Sequence, residues 1–233
     1  MSSSRPRHIL AVDVGGTHVK IRLSGQEESR KTPSGARMSA QQMVARVRRL
    51  ARGWRYDAVS IGYPGVVAHG RPLVEPHNLG RGWVGFDFRT AFGKPVRIIN
   101  DAAMQAIGSY EGRRMLFLGL GTGLGSALIL DGVLEAMELG HLPYRKGRTY
   151  EEYLGEDGRK RLGRRKWQRA VLDVVERLAT TFEVDYTVLG GGNAARLKDL
   201  PPRVRPGANA NAFIGGFRLW TEPQWYRAGM PRR

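Results

Sequence analysis

The feature that most constrains this chain is a unit that occurs twice: an apolar strand, a glycine turn and a second strand. The first copy runs from HILAVDV (8–14) through Gly15-Gly16 into VKIRLS (19–24). The second is MLFLGLGTGLGSALILDG (115–132), where Gly119, Gly121 and Gly123 interrupt two apolar runs. Runs of this length joined by glycines read as paired strands. Their recurrence in each half predicts a duplicated lobe rather than one continuous sheet.

The segments between the two copies supply helices and further strands, so the predicted class is α/β. SAQQMVARVRRLAR (39–52) carries Met43, Val44, Val47 and Leu50 at helical spacing, with Ser39 as N-cap. DAVSIGYPG (57–65) reads as a buried strand entering a Pro-Gly turn, and PVRIIND (95–101) as a strand that ends on polar residues. AAMQAIGSYEG follows it as a helix. In the second half, 165–182 has helical periodicity and YTVLGGG (186–192) is a strand entering three glycines. Residues 196–210 read as loop, 210–220 as a closing helix, and the tail TEPQWYRAGMPRR as poorly ordered.

Composition narrows the function classes. The 233 residues contain no cysteine, which excludes disulfides, thiolate metal sites and a cysteine nucleophile. No apolar run approaches the length of a membrane span, and MSSSRPRH lacks the apolar core of a secretory signal. The expectation is a soluble cytoplasmic protein with no membrane partner. The formal net charge of +17 fits a polyanionic partner, though it equally fits a protein kept soluble by charge. No aromatic-interleaved basic sheet or reading motif accompanies it, so a specific nucleic-acid partner is not expected.

Four constellations can carry chemistry. In DVGGTHVK (13–20), Gly15 and Gly16 let backbone N–H groups approach a phosphate, Thr17 adds a hydroxyl, and Asp13 can hold Mg2+ directly or through water. An ordinary hairpin would look the same. GLGTGLGS (119–126) repeats the arrangement with Gly121, Thr122 and Gly123; it is neither a dinucleotide fingerprint nor a P-loop. IIND (98–101) puts Asp101 at a strand end, where a carboxylate can accept a hydroxyl proton and Asn100 can bond a sugar; the pair can equally cap the next helix. ELGH (138–141) offers Glu138 and His141 to neighbouring hydroxyls, or is a surface turn. It is a poor zinc site, lacking Cys and HExxH.

The order DxGGT, GxPG, ND, GTGxGxA, ExGH and GGG resembles the ROK family (repressors, open reading frames and sugar kinases), over about residues 8–220. GYPGVV (62–67), NLGRGWVGFD (78–87), INDAA (99–103), ELGHLPY (138–144) and YEEYLG (150–155) resemble its polyphosphate glucokinase branch. The resemblance implies a two-lobed, actin-like (ribonuclease-H-like) ATPase/sugar kinase fold. The expected lobes are 1–101 and 102–209, with 210–220 packing back on the first and the site between them. It implies Asp101 as general base, and Asn100, Glu138, His141 and Glu151 as sugar ligands. Gly62, Pro64, Gly65 and Asn78 match the sugar-side loop. Asp13, Gly15, Gly16 and Thr17, with Gly121, Thr122 and Gly123, match phosphate-facing turns, and Gly190, Gly191, Gly192 and Asn193 the nucleotide-side turn.

The expected reaction is phosphoryl transfer from polyphosphate, ATP or both to the 6-hydroxyl of glucose, with Mg2+, by a homodimer without structural zinc. An ATP-dependent kinase of another hexose and a non-catalytic sugar sensor are the alternatives. The run GRKRLGRRKWQR (158–169), with Arg145, Lys146 and Arg148 nearby, suggests a basic stripe for a long polyanion; a solvated helix face is the plainer reading.

Overall fold

In the computed structural model, residues 8–208, 210–222 and 224–227 are described. The expectations for residues 1–7 and 228–233 lie outside them. The chain divides into two compact units, Met1–Gly108 with Ala212–Arg233, and Ser109–Asn211.

In the first unit, β1 (Ile9–Val14), β2 (His18–Leu23) and β3 (Ser29–Pro33) form an antiparallel meander. Helix α1 (Ala40–Leu50) then carries the chain to β4 (Ala58–Tyr63), which lies parallel to β1. Ser39 caps α1 in a reciprocal box with Gln42, so two end N–H groups are satisfied locally. A two-stranded ribbon, β5 (Val67–Ala68) and β6 (Arg71–Pro72), precedes α2 (Phe88–Phe92). Strand β7 (Val96–Asn100) pairs parallel to β4 and passes directly into α3 (Asp101–Ser109). The sheet order is β3-β2-β1-β4-β7. One core joins Leu10, Val12 and Ile61 of the sheet to Met43 and Val47 of α1 and to Trp83 and Phe88.

The second unit repeats this topology. Strands β8 (Arg114–Leu120), β9 (Leu124–Leu130) and β10 (Val133–Met137) form the meander. Helices α4 (Tyr150–Leu154) and α5 (Glu156–Thr181) lead to β11 (Tyr186–Gly190), parallel to β8, and β12 (Val204–Pro206) pairs parallel to β11. The order β10-β9-β8-β11-β12 is that of the first sheet, so the repeated strand–turn–strand unit marks a duplicated sheet. Trp167, Val171, Val174 and Leu178 of α5 pack on Leu116, Leu118 and Leu189.

The closing elements are α6 (Asn211–Thr221) and α7 (Gln224–Arg227), and from Ala212 on they group with the first unit. Gly215 and Gly216 of α6 leave no room for a Cβ, the first against the Met104 backbone and the second between Ala11, Ser60 and Met104. The glycines that disfavour a helix by propensity thus permit close helix-on-helix and helix-on-sheet contact. Ser60 Oγ seals it by donating to the Gly216 carbonyl at 2.5 Å and accepting from Trp220 Nε1 at 2.9 Å.

Several expectations need correction. The first unit extends to Gly108 rather than Asp101, because α3 packs on β4 at Gly62 and on α6. Part of the expected 196–210 loop is β12. Helix α5 begins at Glu156 and carries one non-helical residue, Gly163 (φ 70°, ψ 165°), which divides it. Within the expected poorly ordered tail, Gln224–Arg227 form α7: Trp225 is buried and donates to Glu222 Oε2 at 2.7 Å.

Candidate phosphoryl-transfer site

Within the first unit, the C-terminal ends of parallel strands β1, β4 and β7 collect the predicted residues on one sheet edge. Asp13 stands opposite Gly62 of β4 on one side and Lys20 of β2 on the other. Such strand ends are where open α/β sheets place ligands. The Asp13 carboxylate lies 3.8 Å from Lys20 Nζ. Burial pushes its pKa up, and the Lys20 charge opposes that shift.

The turn after Asp13 is braced by Ser34. Ser34 Oγ donates to the Gly15 carbonyl at 2.6 Å and its N–H to the Thr17 carbonyl at 2.9 Å, while the Gly15 N–H donates to the His18 carbonyl. Gly16 abuts Asn78, whose Cβ would lie 3.0 Å from a Cβ added at Gly16. Asn78 therefore sits beside the glycine turn. Glu75, which sequence reasoning missed, organises this loop by accepting from the Trp83 and Val84 N–H groups at 3.1 and 3.3 Å. Gly62 lies against the Met104 side chain and the Asp101 Cα, so a Cβ where the GYPG loop (62–65) leaves β4 would require Met104 to shift.

Asn100 and Asp101 divide the two roles that the sequence left open. Asn100 Oδ1 accepts from the Ala103 N–H at 3.0 Å, the capping bond of α3, and its Nδ2 donates to the Gly65 carbonyl at 3.2 Å. Asp101 Oδ1 accepts from the adjacent Ala102 N–H at 2.8 Å. Asn100 thus caps the helix and ties the GYPG loop to it, retaining one carboxamide hydrogen. The Asp101 carboxylate, half-buried at the helix start, is oriented by the adjacent N–H.

In the second unit the glycine turns converge. The turn Gly121–Gly123 closes with the Gly121 N–H donating to the Gly123 carbonyl at 3.1 Å. Gly191 (φ 81°) lies against the Leu120 backbone, where no Cβ fits, and brings Gly190, Gly192 and Asn193 alongside. The Asn193 N–H donates to the Leu120 carbonyl at 2.9 Å, and its Nδ2 to the Gly121 carbonyl at 3.2 Å and Glu156 Oε2 at 3.0 Å. Glu156 returns its N–H to the Thr122 carbonyl at 3.1 Å and grips Arg159 at 2.7 and 2.9 Å. That Arg159 contact, with Asn193 and Lys160 adding to it, holds the Glu156 carboxyl down at about 2. Glu156 was not singled out from sequence; its signal was an acid in the first turn after the YEEYLG motif.

The sugar-side candidates of this unit lie against the same turn. Glu151 Oε2 accepts from the Leu124 N–H at 3.0 Å, its carboxylate fills the space beside Gly123, and its Cβ would sit 3.4 Å from a Cβ on Gly140. Glu138 and His141 are exposed at the ends of one 3-10 turn. Ser126 fixes that turn, donating to the Met137 carbonyl at 2.6 Å and accepting from the Leu139 N–H at 3.1 Å.

Each unit therefore presents a glycine turn at the C-terminal end of its first strand, a backbone arrangement that suits an anion. Among the described residues no group of three or more His, Asp or Glu forms a metal cage. Mg2+ does not need one, since it binds through one or two carboxylates, donor phosphates and retained waters. Asp13 fits that role, with Lys20 as a competing cation.

The basic run is less free than its composition suggests. Arg159 and Lys160 pair with Glu156, Arg145 with Asp173 and Arg148 with Glu152. Arg161 donates to the Glu152 carbonyl and stacks on Tyr153. Arg164, Arg165, Lys166 and Arg169 are exposed and have no carboxylate within ion-pair distance among the described residues.

A family model described as "ROK family" matches residues 9–153. A polyphosphate glucokinase of Mycobacterium tuberculosis (strain ATCC 25177 / H37Ra) is 30% identical over 212 residues, covering 80% of this chain and 78% of that protein. An N-acetylmannosamine kinase of Salmonella paratyphi B is 32% identical over 146 residues, 54% of this chain and 48% of that protein. Among solved structures, the inorganic polyphosphate/ATP-glucomannokinase of Arthrobacter sp. strain KM superposes with a TM-score of 0.80 at 22% identity, covering 94% of this chain and 99% of that one. A ROK family glucokinase from Streptomyces griseus, in complex with glucose and AMPPNP, gives 0.73 at 18%, covering 92% and 99%. The fold is the two-lobed actin-like α/β fold of sugar kinases, and the chain belongs to the ROK family.

Proposed function

We propose that this sugar kinase transfers a phosphoryl group from polyphosphate, ATP or both to the 6-hydroxyl of glucose, with Asp101 as general base. The observation that carries the reading is the division of labour at the end of β7. Asn100 caps α3, so the Asp101 carboxylate is not needed as the cap. In the proposed step the glucose O6 attacks the terminal phosphorus and Asp101 takes the O6 proton. The O6–P bond forms as the P–O bond to the remainder of the donor breaks. Asn78, Asn100, Glu138, His141 and Glu151, with Gly62, Pro64 and Gly65, are assigned to the sugar. The two glycine turns, with Asn193, are assigned to the donor phosphates. Bound Mg2+ would neutralise charge developing on those phosphates, and Asp13 is the residue that would hold it.

Glucose and polyphosphate are supported by the similarity to the mycobacterial polyphosphate glucokinase and by the four uncompensated cations of α5. A second reading, another hexose as acceptor, is favoured by the similarity to an N-acetylmannosamine kinase. Glucose, mannose and N-acetylmannosamine phosphorylation measured side by side with ATP and with polyphosphate separates these readings. Asp101→Asn is expected to keep the fold and glucose binding while losing ~100- to 10,000-fold in turnover. Near-full activity of that variant would return Asp101 to a helix-start role, and failure of glucose with either donor would favour the second reading.

A further inference from the structure

The second unit has a basic cavity that the phosphoryl-transfer reading does not use. It lies at the N-terminal ends of parallel strands β8, β11 and β12, whereas the glycine turns follow the C-terminal ends of β8 and β11. β8 is seven residues long, which separates the two ends by about 20 Å. The cavity, about 380 Å³, is lined by Arg113, Arg203 and Arg205 with Glu111 and Tyr186.

Arg205 is fixed in place. It pairs with Glu111 at 2.5 Å, reaches the Ser109 carbonyl at 3.4 Å and lies 4.4 Å over the Tyr186 ring. The Tyr186 hydroxyl accepts from the Glu111 N–H at 3.0 Å, which leaves its own proton to donate. Arg113 and Arg203 are both exposed and have no ion-pair partner among the described residues. Three guanidiniums thus face one carboxylate.

The backbone supplies a separate argument. Arg113 (φ 62°) and Arg203 (φ 67°) both adopt the left-handed conformation, which is uncommon for a residue other than glycine. The chain uses glycine at many of its left-handed positions, including Gly112 next to Arg113. Arg113 and Arg203 are two of seven described non-glycine residues at positive φ, and both line this one cavity, where each costs conformational energy that glycine would avoid. Their carbonyls are anchored: Arg113 accepts from the Asp131 N–H at 3.2 Å and Arg203 from the Thr187 N–H at 2.8 Å.

We propose that this cavity is a second anion site, separate from the donor turns, that takes the phosphate group of a small molecule. Arg113 and Arg203 supply mobile forks, Arg205 a pre-oriented one and Tyr186 a hydroxyl donor, a set that matches a tetrahedral dianion. An adjoining cavity of about 670 Å³ shares Tyr186 and Arg203; Leu172, Val175 and Pro201 give it apolar surface, and Glu176, Glu183 and Asp185 also line it, so it suits an uncharged organic remainder and disfavours a second anionic group. The ligand class is therefore a phosphate ester. Arg205 also reaches the carbonyl of Ser109, whose hydroxyl accepts from Asn211 Nδ2 at 2.8 Å, so the two ends of this unit are tied beside the cavity.

The test is a titration of the full chain with inorganic phosphate at constant ionic strength, followed residue by residue through amide NMR shifts. Saturable shifts are expected at residues 112–114 and 203–205. The double variant Arg113→Gly/Arg203→Gly keeps glycine-compatible backbone and should fold. It is expected to weaken that response at least about tenfold in Kd, the effect of losing one charge-assisted hydrogen bond. Shifts confined to 121–123 and 191–193, or an unchanged Kd in the double variant, would overturn the proposal. Glucose phosphorylation by the double variant without added phosphate should match the parent chain, which keeps this result independent of the kinase reading.

Discussion

At the residue scale, the chemistry is set by what each carboxylate is released from or tied to. At the start of α3 it is Asn100, not Asp101, that accepts the Ala103 N–H as cap. Asp13 is pulled the other way: burial disfavours its charged form, and Lys20, itself partly exposed, only partly offsets this. An acid whose folded pKa is raised lowers stability from the unfolded pKa upward, where the unfolded chain ionises first; the penalty is absent well below the unfolded pKa and complete once pH has risen through the folded one. Asp13→Asn is therefore expected to leave Tm at pH 7 unchanged or higher, with a flatter dependence on pH. Turnover should fall at least about 100-fold, because the group that would hold the metal is lost. Thermal melts and rates on one preparation check this; a lower Tm with unchanged turnover would make Asp13 a structural partner of Lys20. Glu156 differs in sign. Its carboxyl is held down at about 2, so its bonds to Arg159 and Asn193 persist at neutral pH and loosen only as acid approaches that value.

At the element scale, α5 is where charge and structure have to be separated. Its first turns are committed: Arg159, Lys160 and Arg161 bond to Glu156 and the end of α4. Beyond the non-helical Gly163, Arg164, Arg165 and Lys166 are exposed and without ion-pair partners among the described residues. They are the part of the run that can serve a polyanion. Replacing these three by Gln is expected to raise KM for polyphosphate roughly tenfold, as several solvent-exposed charge contacts would. KM for ATP should change by much less, and Tm should stay the same. Steady-state kinetics with both donors decide it, and equal losses for the two would leave the run as an exposed helix face.

At the scale of the whole molecule, a formal net charge of +17 acts on association rather than on fold. If three or four phosphate contacts are made, counterion release predicts that KM for polyphosphate rises roughly 20- to 50-fold between about 0.05 and 0.2 M salt. KM for glucose, a neutral substrate, should barely move. A flat salt response for polyphosphate would mean that the charge serves solubility alone. Among the described residues no helix is long and apolar enough to cross a membrane.

The sequence by itself determined the duplicated sheet, because strand–glycine turn–strand units are local patterns whose alternation and turn chemistry are written in consecutive residues. It also determined which motifs line the strand ends, since Asp13, the GYPG loop, Asn100 and Asp101 lie in or directly after the last residues of their strands. It missed β12 and α7, short elements stabilised by a neighbouring strand and by burial of Trp225 rather than by their own periodicity. It placed the lobe boundary at the end of β7, because only close packing at Gly62, Gly215 and Gly216 keeps α3 with the first unit. It could not choose between Asn100 and Asp101 as cap, which turns on side-chain hydrogen bonds of a few tenths of an ångström. Nor could it find Glu75, Glu156 or the arginine cavity at the far end of β8, β11 and β12. Those depend on residues far apart in the chain, brought together by parallel pairing that no local pattern records.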